Sequence, residues 1–287
     1  MLLKPILIIG SIKKSLFFII VKTLSLLNNV HKRDLLDILL YLIFSAKGHY
    51  RGFYNLDFEV KICSDLIKKM NSRGQYCYSN GTIIDVGANK GEFFQRIRTN
   101  FPEFKYYLFE PQKKLHNILK NFYSKKVNIY NFGLSNSNKI LKFYENEAYN
   151  GLGSYLNRKH EINENKNYKF KCTNKIKVKR FDQLKISFKV IDLVKIDVEG
   201  LELKCLNGFG NLLKKVKIIQ FEWGRAQLDA RNSFLNFWLL LKRYNFDIFR
   251  IHPSGLKKIN NYSWFEEIFI SANLICINQK YFKEKII

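Results

Sequence analysis

One stretch constrains the fold of this chain more than any other: "GTIIDVGANKGEFFQRIRTNF", residues 81–101. An apolar run closes on Asp85. Gly87, Asn89 and Gly91 follow, and a helical pattern then runs until Pro102 stops it. Glycine lets the backbone turn sharply and approach a ligand closely. Asn is the next-best residue where φ must be positive. The helix start that follows offers unpaired N–H groups and the positive end of a dipole. A strand, a glycine-spaced loop and a helix in this order predict a ligand at the carboxyl end of a parallel sheet.

The pattern continues. "KYYLFEP" reads as a strand, "KKLHNILKNFY" as a helix with Leu115, Ile118, Leu119 and Phe122 on one face, and "VNIYNFGLS" as a third strand. After a polar interruption come strand "VIDLVKID", helix "LELKCLNGFGNLLKK", strand "VKIIQFEW", helix "NSFLNFWLLLKRY" and two final strands, "FDIFRI" and "EIFISANLICIN". The last two have no helix between them and are expected to pair antiparallel. Strand–helix alternation with continuously apolar strands predicts an α/β, doubly wound, mostly parallel sheet of seven strands. The expected organisation is a helical extension over 1–75, including a helix starting near Asp57, and one α/β domain over 76–287. A β-hairpin and loop insertion is expected at about 136–189, carrying Gly151, Gly153 and Ser154.

The loop spacing G-x-x-x-G fits the dinucleotide fingerprint G-x-G-x-x-G poorly, and the P-loop pattern is absent. Its pattern D-x-G-x-N-x-G instead resembles the first motif of class I S-adenosylmethionine-dependent methyltransferases, with Asn89 in place of the middle glycine. Asp85, Gly87, Asn89 and Gly91 are therefore the first candidates for binding that donor. Glu110 ends the second strand, where an acid can accept hydrogen bonds from both ribose hydroxyls of a nucleoside. In the methyltransferase fold that this resemblance implies, the loop after the third strand borders the adenine, so Asn131 or Gly133 is expected there, with Phe132 as a packing neighbour.

Taken together, "IIDVGANKGEF", "YLFEP", "NFGLSN", "FDQL", "IDLVKIDVEGLELKCLNG" and "IIQFEW" occur in one order that resembles the FkbM family of methyltransferases, over roughly residues 80–225. The resemblance implies a Rossmann-like class I fold, S-adenosylmethionine as donor and, most often, O-methylation of polyketides, saccharides or glycan chains. A small-molecule or glycan acceptor is the partner expected here, in surface-polysaccharide or related biosynthesis.

Deprotonating an acceptor hydroxyl calls for a base, or for a metal that lowers its pKa. Asp197 ends the fourth strand of the reading and Glu222 the fifth, so both belong at the ligand-binding edge. Asp197 as base with Glu222 orienting the acceptor is one arrangement; the two sharing a divalent ion is the less favoured one. Glu199 borders the same edge without a settled role, as orienter of substrate or of the donor's amino group. Glu202 falls in the first turn of the next helix, where an acid complements the helix dipole. His252 is a weaker base candidate.

The formal net charge of +25 suits nucleic acid, an anionic membrane surface or a phosphorylated substrate, and also a plain lysine-rich bias. From Arg158 to Lys189 eleven basic residues face three acidic ones, enough to steer a phosphorylated acceptor. Against nucleic acid stands "IDVEG", whose carboxylates repel a phosphate backbone; a nucleic-acid methyltransferase and a non-enzymatic membrane or assembly protein remain the alternatives. Leu16, Ile19, Ile20, Leu24 and Leu27 recur at helical spacing, so peripheral membrane contact or a homo-oligomer is open to the basic N-terminal helices. No apolar run is long enough to span a bilayer. Five cysteines without a C-x-x-C fit a reducing cytoplasm, with the inner face of the membrane as the variant of that location.

Overall fold

The computed structural model describes residues 38–40, 42–44, 55–71, 80–146, 153–156, 158 and 170–282. The chain divides into two compact units, Met1–Lys47 and Gly48–Ile287. In the first, residues 38–40 and 42–44 are helical. The amphipathic segment Leu16–Leu27 lies outside the described residues. No described helix is long and apolar enough to cross a membrane.

The second unit is built on a sheet of eight strands. In chain order its elements are helix α1 (Leu56–Asn71), β1 (Thr82–Val86), α2 (Glu92–Asn100), β2 (Lys105–Phe109), α3 (Lys113–Leu119) and β3 (Val127–Tyr130). Strands β4 (Gly133–Leu134), β5 (Lys139–Asn146), β6 (Gly153–Ser154) and β7 (Phe170–Lys179) follow. The chain then adds β8 (Ile191–Ile196), α4 (Glu202–Phe209), β9 (Val216–Trp223), α5 (Ala226–Ala230) and α6 (Phe234–Arg243). It finishes with β10 (Phe246–His252), β11 (Gly255–Ile259) and β12 (Ala272–Asn278).

The sheet order is β11-β10-β12-β9-β8-β1-β2-β3. Strands β3, β2, β1, β8 and β9 are parallel, and β12 and β10 close the far side antiparallel. The expected doubly wound sheet is present with one strand more than the seven expected. The extra strand is β11, which returns from β10 through a tight turn and pairs with it antiparallel. Its sequence, GLKKI, holds two exposed lysines and only one buried residue, Ile259, so it lacks the apolar run that marks the inner strands.

Strand residues point alternately to the two faces, and both faces are covered. Ile83, Tyr106, Leu108, Leu193 and Ile218 pack with Val60 and Ile67 of α1, Phe93, Phe94 and Ile97 of α2 and Leu119 of α3. Ile84, Val86, Phe109, Val194, Ile196 and Phe221 pack with Cys205 and Leu206 of α4 and Phe237 and Leu241 of α6. Burying a side chain of this size contributes about 1.5–3 kcal/mol. Helix α1 thus packs on the sheet, within the unit that begins at Gly48. Helix α6 starts with a capping box, Ser233 and Asn236 each bonding the other's backbone N–H. Helix α4 is shorter than its apolar pattern suggests: Gly210 takes a positive φ of 51°, and Gly210–Lys215 continues as 3₁₀ turns.

The insertion forms a second sheet of four strands, β4-β7-β5-β6. Strands β5 and β7 make its antiparallel centre, over a small core of Phe143, Ile176 and Val178. The segment read as one third strand is two: β3 ends at Tyr130 in the large sheet, and β4 joins the small one.

Candidate active site

The site begins at the carboxyl end of β1. Gly87 has φ 80°, and a Cβ there would lie 1.9 Å from the carbonyl oxygen of Asp197, so only glycine lets the two strand ends meet. Gly87 and Ala88 both donate their N–H to the Phe109 carbonyl (2.9 and 3.2 Å), which ties the loop to β2. Asn89 follows with φ 50°, and Gly91, at φ 84°, is the N-cap of α2. The loop is thus held against the ends of β2 and β8.

Glu110, at the end of β2, is 3% exposed. Its Oε2 accepts the Asn89 N–H (3.0 Å) and its Oε1 accepts the Gln112 N–H (2.8 Å). Each carboxylate oxygen carries two lone pairs, so each keeps one for a further donor. Burial pushes this carboxyl up to about 7, against the two backbone donors, which favour its charged form. Asn131 donates to the carbonyls of Glu110 and Pro111 (3.1 Å each) and so braces the ends of β2 and β3. Gly133 packs under the Tyr155 hydroxyl, and Phe132 stacks among Phe109, Tyr130 and the Lys179 ammonium.

Asp85, Lys195 and Gln220 stand in register on β1, β8 and β9 and therefore share one face. Asp85 is 1% exposed, and neither of its carboxylate oxygens has a hydrogen-bond partner; the Lys195 ammonium is 3.6 Å away. The same ammonium lies 3.3 Å from Asp197 Oδ2 and 5.5 Å above the Phe93 ring. Burial pushes Asp85 up. Burial also pulls the Lys195 ammonium down, but the Asp197 and Asp85 carboxylates outweigh it and hold the lysine charged.

Helix α1 adds a residue that the motif reading missed. Glu59 is buried and accepts hydrogen bonds from Gln220 Nε2 (2.8 Å) and Asn273 Nδ2 (2.7 Å), while Cys63 Sγ donates to Gln220 Oε1 (3.1 Å). An acid in phase with the buried stripe of its helix, Glu59–Cys63–Leu66–Ile67, was the available signal.

The loop after β8 carries the acids of "IDVEG". Asp197 donates its N–H to the Val86 carbonyl (2.9 Å), and its side chain is 30% exposed to the cleft. Glu199 takes φ 51°, a conformation strained for a residue with a Cβ. Two groups of the insertion hold it there: Ser154 Oγ donates to its carbonyl (2.8 Å) and Arg158 Nη1 to its Oε2 (2.8 Å). Burial, then the Asp197 charge, push the Glu199 carboxyl up, against the Arg158 guanidinium. Glu202 opens α4 as expected, but the fold uses it for more than the helix dipole. It is buried and accepts the N–H groups of Val198 (3.1 Å) and Gly200 (3.0 Å) and the Gln227 side-chain amide.

A cleft of about 560 Å³ joins these parts. Gly87, Asn89, Glu110, Asp197 and Glu199 line it, together with Glu59, Lys195 and Tyr155. Asp85 lies in the strand beneath and Gly91 at the helix start, while Asn131 and Gly133 stand behind its wall. Glu222 lies in register with Asn273, outside the cleft lining, yet close enough for its charge to raise Glu199. His252 Nδ1 bonds Ser254 Oγ (2.6 Å) at the turn from β10 to β11. Among the described residues, no group of three or more His, Cys, Asp or Glu is arranged to hold a metal ion.

The parallel order β3-β2-β1-β8-β9 closed by the antiparallel β12 and β10, with a glycine loop after β1 and an acid after β2, is the architecture of the class I methyltransferases. The family model "Methyltransferase FkbM domain" matches residues 85–248, more than half of the chain. The chain belongs to the FkbM methyltransferase family. Solved structures similar to it include the plantazolicin methyltransferase BpumL in complex with SAH, at 11% identity and TM-score 0.42 over 77% of this chain and 85% of that one. A SAM-dependent methyltransferase from Aquifex aeolicus has 10% identity and TM-score 0.37, with 75% and 88% covered. The N-terminal domain of human METTL16 has 10% identity and TM-score 0.40, with 77% and 68% covered. No curated protein matches the sequence.

S-adenosylmethionine is the donor of this methyltransferase, and the residues present fit it. Gly87 and Asn89 line the cleft on the loop after β1, the Asp85 carboxylate beneath it is buried without a hydrogen-bond partner, and Glu110 keeps a lone pair on each oxygen.

Proposed function

We propose that this methyltransferase transfers its methyl group to a hydroxyl oxygen of a saccharide or glycan-type acceptor, in surface-polysaccharide or related biosynthesis on the cytoplasmic side of the membrane. The observation that carries the reading is the carboxylate floor of the cleft. Asp197 and Glu199 both line the space beside the glycine loop, with Lys195 countering the Asp197 charge from below and Arg158 paired with Glu199. Such a floor accepts hydrogen bonds from a hydroxyl-rich acceptor and repels a phosphodiester backbone.

The donor supplies an electrophilic methyl group on a sulfonium. The chain's own residues hold, align and deprotonate. The Gly87–Gly91 loop and Glu110 fix the donor's position, and alignment of this kind supplies roughly 7–11 kcal/mol of a two-substrate barrier. Asp197 takes the acceptor's proton on its exposed carboxylate. Glu199, oriented by Arg158 and Ser154, accepts a neighbouring hydroxyl and sets which oxygen faces the methyl group. Glu222 acts through the charge it places behind Glu199. The lysines on β7, with Lys171, Lys175 and Lys177 exposed, suit an acceptor that carries a phosphate link.

The test is transfer of an isotope-labelled methyl group from the donor into a panel of cell-envelope glycans, run beside RNA, peptide and lipid extracts. Label in a base-stable ether on a sugar supports the reading. Label only on nitrogen or in nucleic acid overturns it.

A further inference from the structure

The segment Gly153-Ser154-Tyr155-Leu156 of the inserted sheet reaches both ends of the cleft. At one end Ser154 Oγ holds the Glu199 carbonyl, and the Leu156 side chain lies so close over Gly200 that a Cβ there would come within 2.7 Å of it. At the other end Tyr155 stands by Glu110. Its ring packs edge-on against Phe143 (centroids 5.5 Å, 82°), and Phe143 in turn leaves no room for a Cβ at Gly153. Its hydroxyl lies 2.7 Å from where a Gly133 Cβ would be, so the glycine at 133 makes the space that the phenol fills.

Tyr155 supplies the single hydroxyl among the described residues that line the cleft. That hydroxyl has no hydrogen-bond partner among the described residues, although Glu110, Pro111, Gln112 and Phe143 line the same space. A tyrosine buried only as packing has no need of an open hydroxyl at a cleft wall; buried phenols usually find a partner.

We infer that Tyr155 is a donor-binding residue: its ring and hydroxyl close the adenosine end of the cleft, so the inserted sheet is part of the nucleoside site rather than an acceptor appendage alone. The inference rests on the placement of the ribose at Glu110. An adenosine offers an aromatic face for the ring and ring nitrogens or ribose oxygens for the hydroxyl. Burial, then the nearby Glu110 carboxylate, push the phenol well above its ordinary range, so it stays protonated and able to donate.

Calorimetric titration of the full chain with S-adenosylhomocysteine, and with adenosine as the truncated probe, tests this. Tyr155→Phe removes only the hydroxyl and is expected to weaken both ligands about 3- to 10-fold. Tyr155→Ala also removes the ring and is expected to weaken them about 10- to 100-fold. Equal losses for the two ligands place the contact on the adenosine. If Tyr155→Ala fails to fold, Tyr155→Phe decides alone. A folded Tyr155→Phe that binds both ligands as the wild type does overturns the inference while leaving Glu110 untouched; in that case Glu110→Ala alone loses affinity. A wild-type chain that binds neither ligand overturns the donor site itself.

Discussion

The α-carbon of Gly87 faces the carbonyl oxygen of Asp197 so closely that a Cβ would sit 1.9 Å from it. The ends of β1 and β8 are thereby locked together, and the glycine loop and the acid loop meet through their backbones. Gly87→Ala must then strain φ and push the acid loop away. We expect a loss of at least about 2 kcal/mol of stability in urea unfolding. S-adenosylhomocysteine binding by the folded fraction should fall as well.

With Glu110 as the proposed ribose acceptor, donor binding is expected to depend on pH. Its folded-state carboxyl is raised to about 7, above the unfolded value, so the unliganded fold favours the protonated form. The stability this contributes is present in full below the unfolded value and is lost as the pH rises through about 7. Ribose hydroxyls that donate to Glu110 favour the carboxylate instead. Affinity for S-adenosylhomocysteine should therefore rise between pH 5.5 and 7.5 by up to about tenfold per unit and then level off. Titrations in two buffers of different ionisation enthalpy should show proton release below pH 7.

Glu202 holds the acid loop in shape. Removing its carboxylate in Glu202→Ala strands the buried N–H groups of Val198 and Gly200 and the Gln227 amide. Each unsatisfied group costs about 1–3 kcal/mol. We expect a loss of about 3 kcal/mol or more in denaturant unfolding and a milder effect from Glu202→Gln, which keeps one acceptor. A change below about 0.5 kcal/mol, as at an ordinary surface site, would remove this role.

Glu59 pins α1 to the sheet. Glu59→Ala removes the buried acceptor of the Gln220 and Asn273 amides and should destabilise the chain by about 2–4 kcal/mol. Hydrogen exchange should accelerate in Leu56–Asn71 more than in β1 or β8.

Asp197→Asn keeps size and neutralises the proposed base. Labelled methyl transfer should fall by at least about 100-fold, within the range for a lost general base. S-adenosylhomocysteine affinity should stay within about threefold of wild type, because the side chain is shared with the acceptor side.

The fold and the glycine loop after β1 were legible because they are local. Asp85, Gly87, Asn89 and Gly91 lie within seven residues, and their spacing after an apolar strand carries the turn, the helix start and the ligand edge together. Glu110 was legible from its place at the end of the next strand. Glu59, Arg158 and Tyr155 were not, because their meaning lies in partners far along the chain: Gln220 and Asn273 for the first, Glu199 for the second, and a gap left by Gly133 for the third. Lys195 sits inside "VKIDVEG", but its role needs the register of β1 against β8. Asn131 sits at the expected strand end with its amide turned to two carbonyls, an orientation no spacing rule gives. The strand β11 was missed because an edge strand with one buried residue has no apolar run to read.

Whether the cleft beside Gly87 and Glu110 holds the methyl donor is decided by equilibrium binding of S-adenosylhomocysteine to the wild-type chain and to Glu110→Ala, with thermal melting of both measured alongside. We expect one equivalent bound by the wild type and an affinity at least about tenfold weaker in the folded variant, since two ribose hydroxyls lose a charged acceptor. A wild-type chain that binds no S-adenosylhomocysteine, or a folded Glu110→Ala that binds it as tightly, would contradict this placement of the donor.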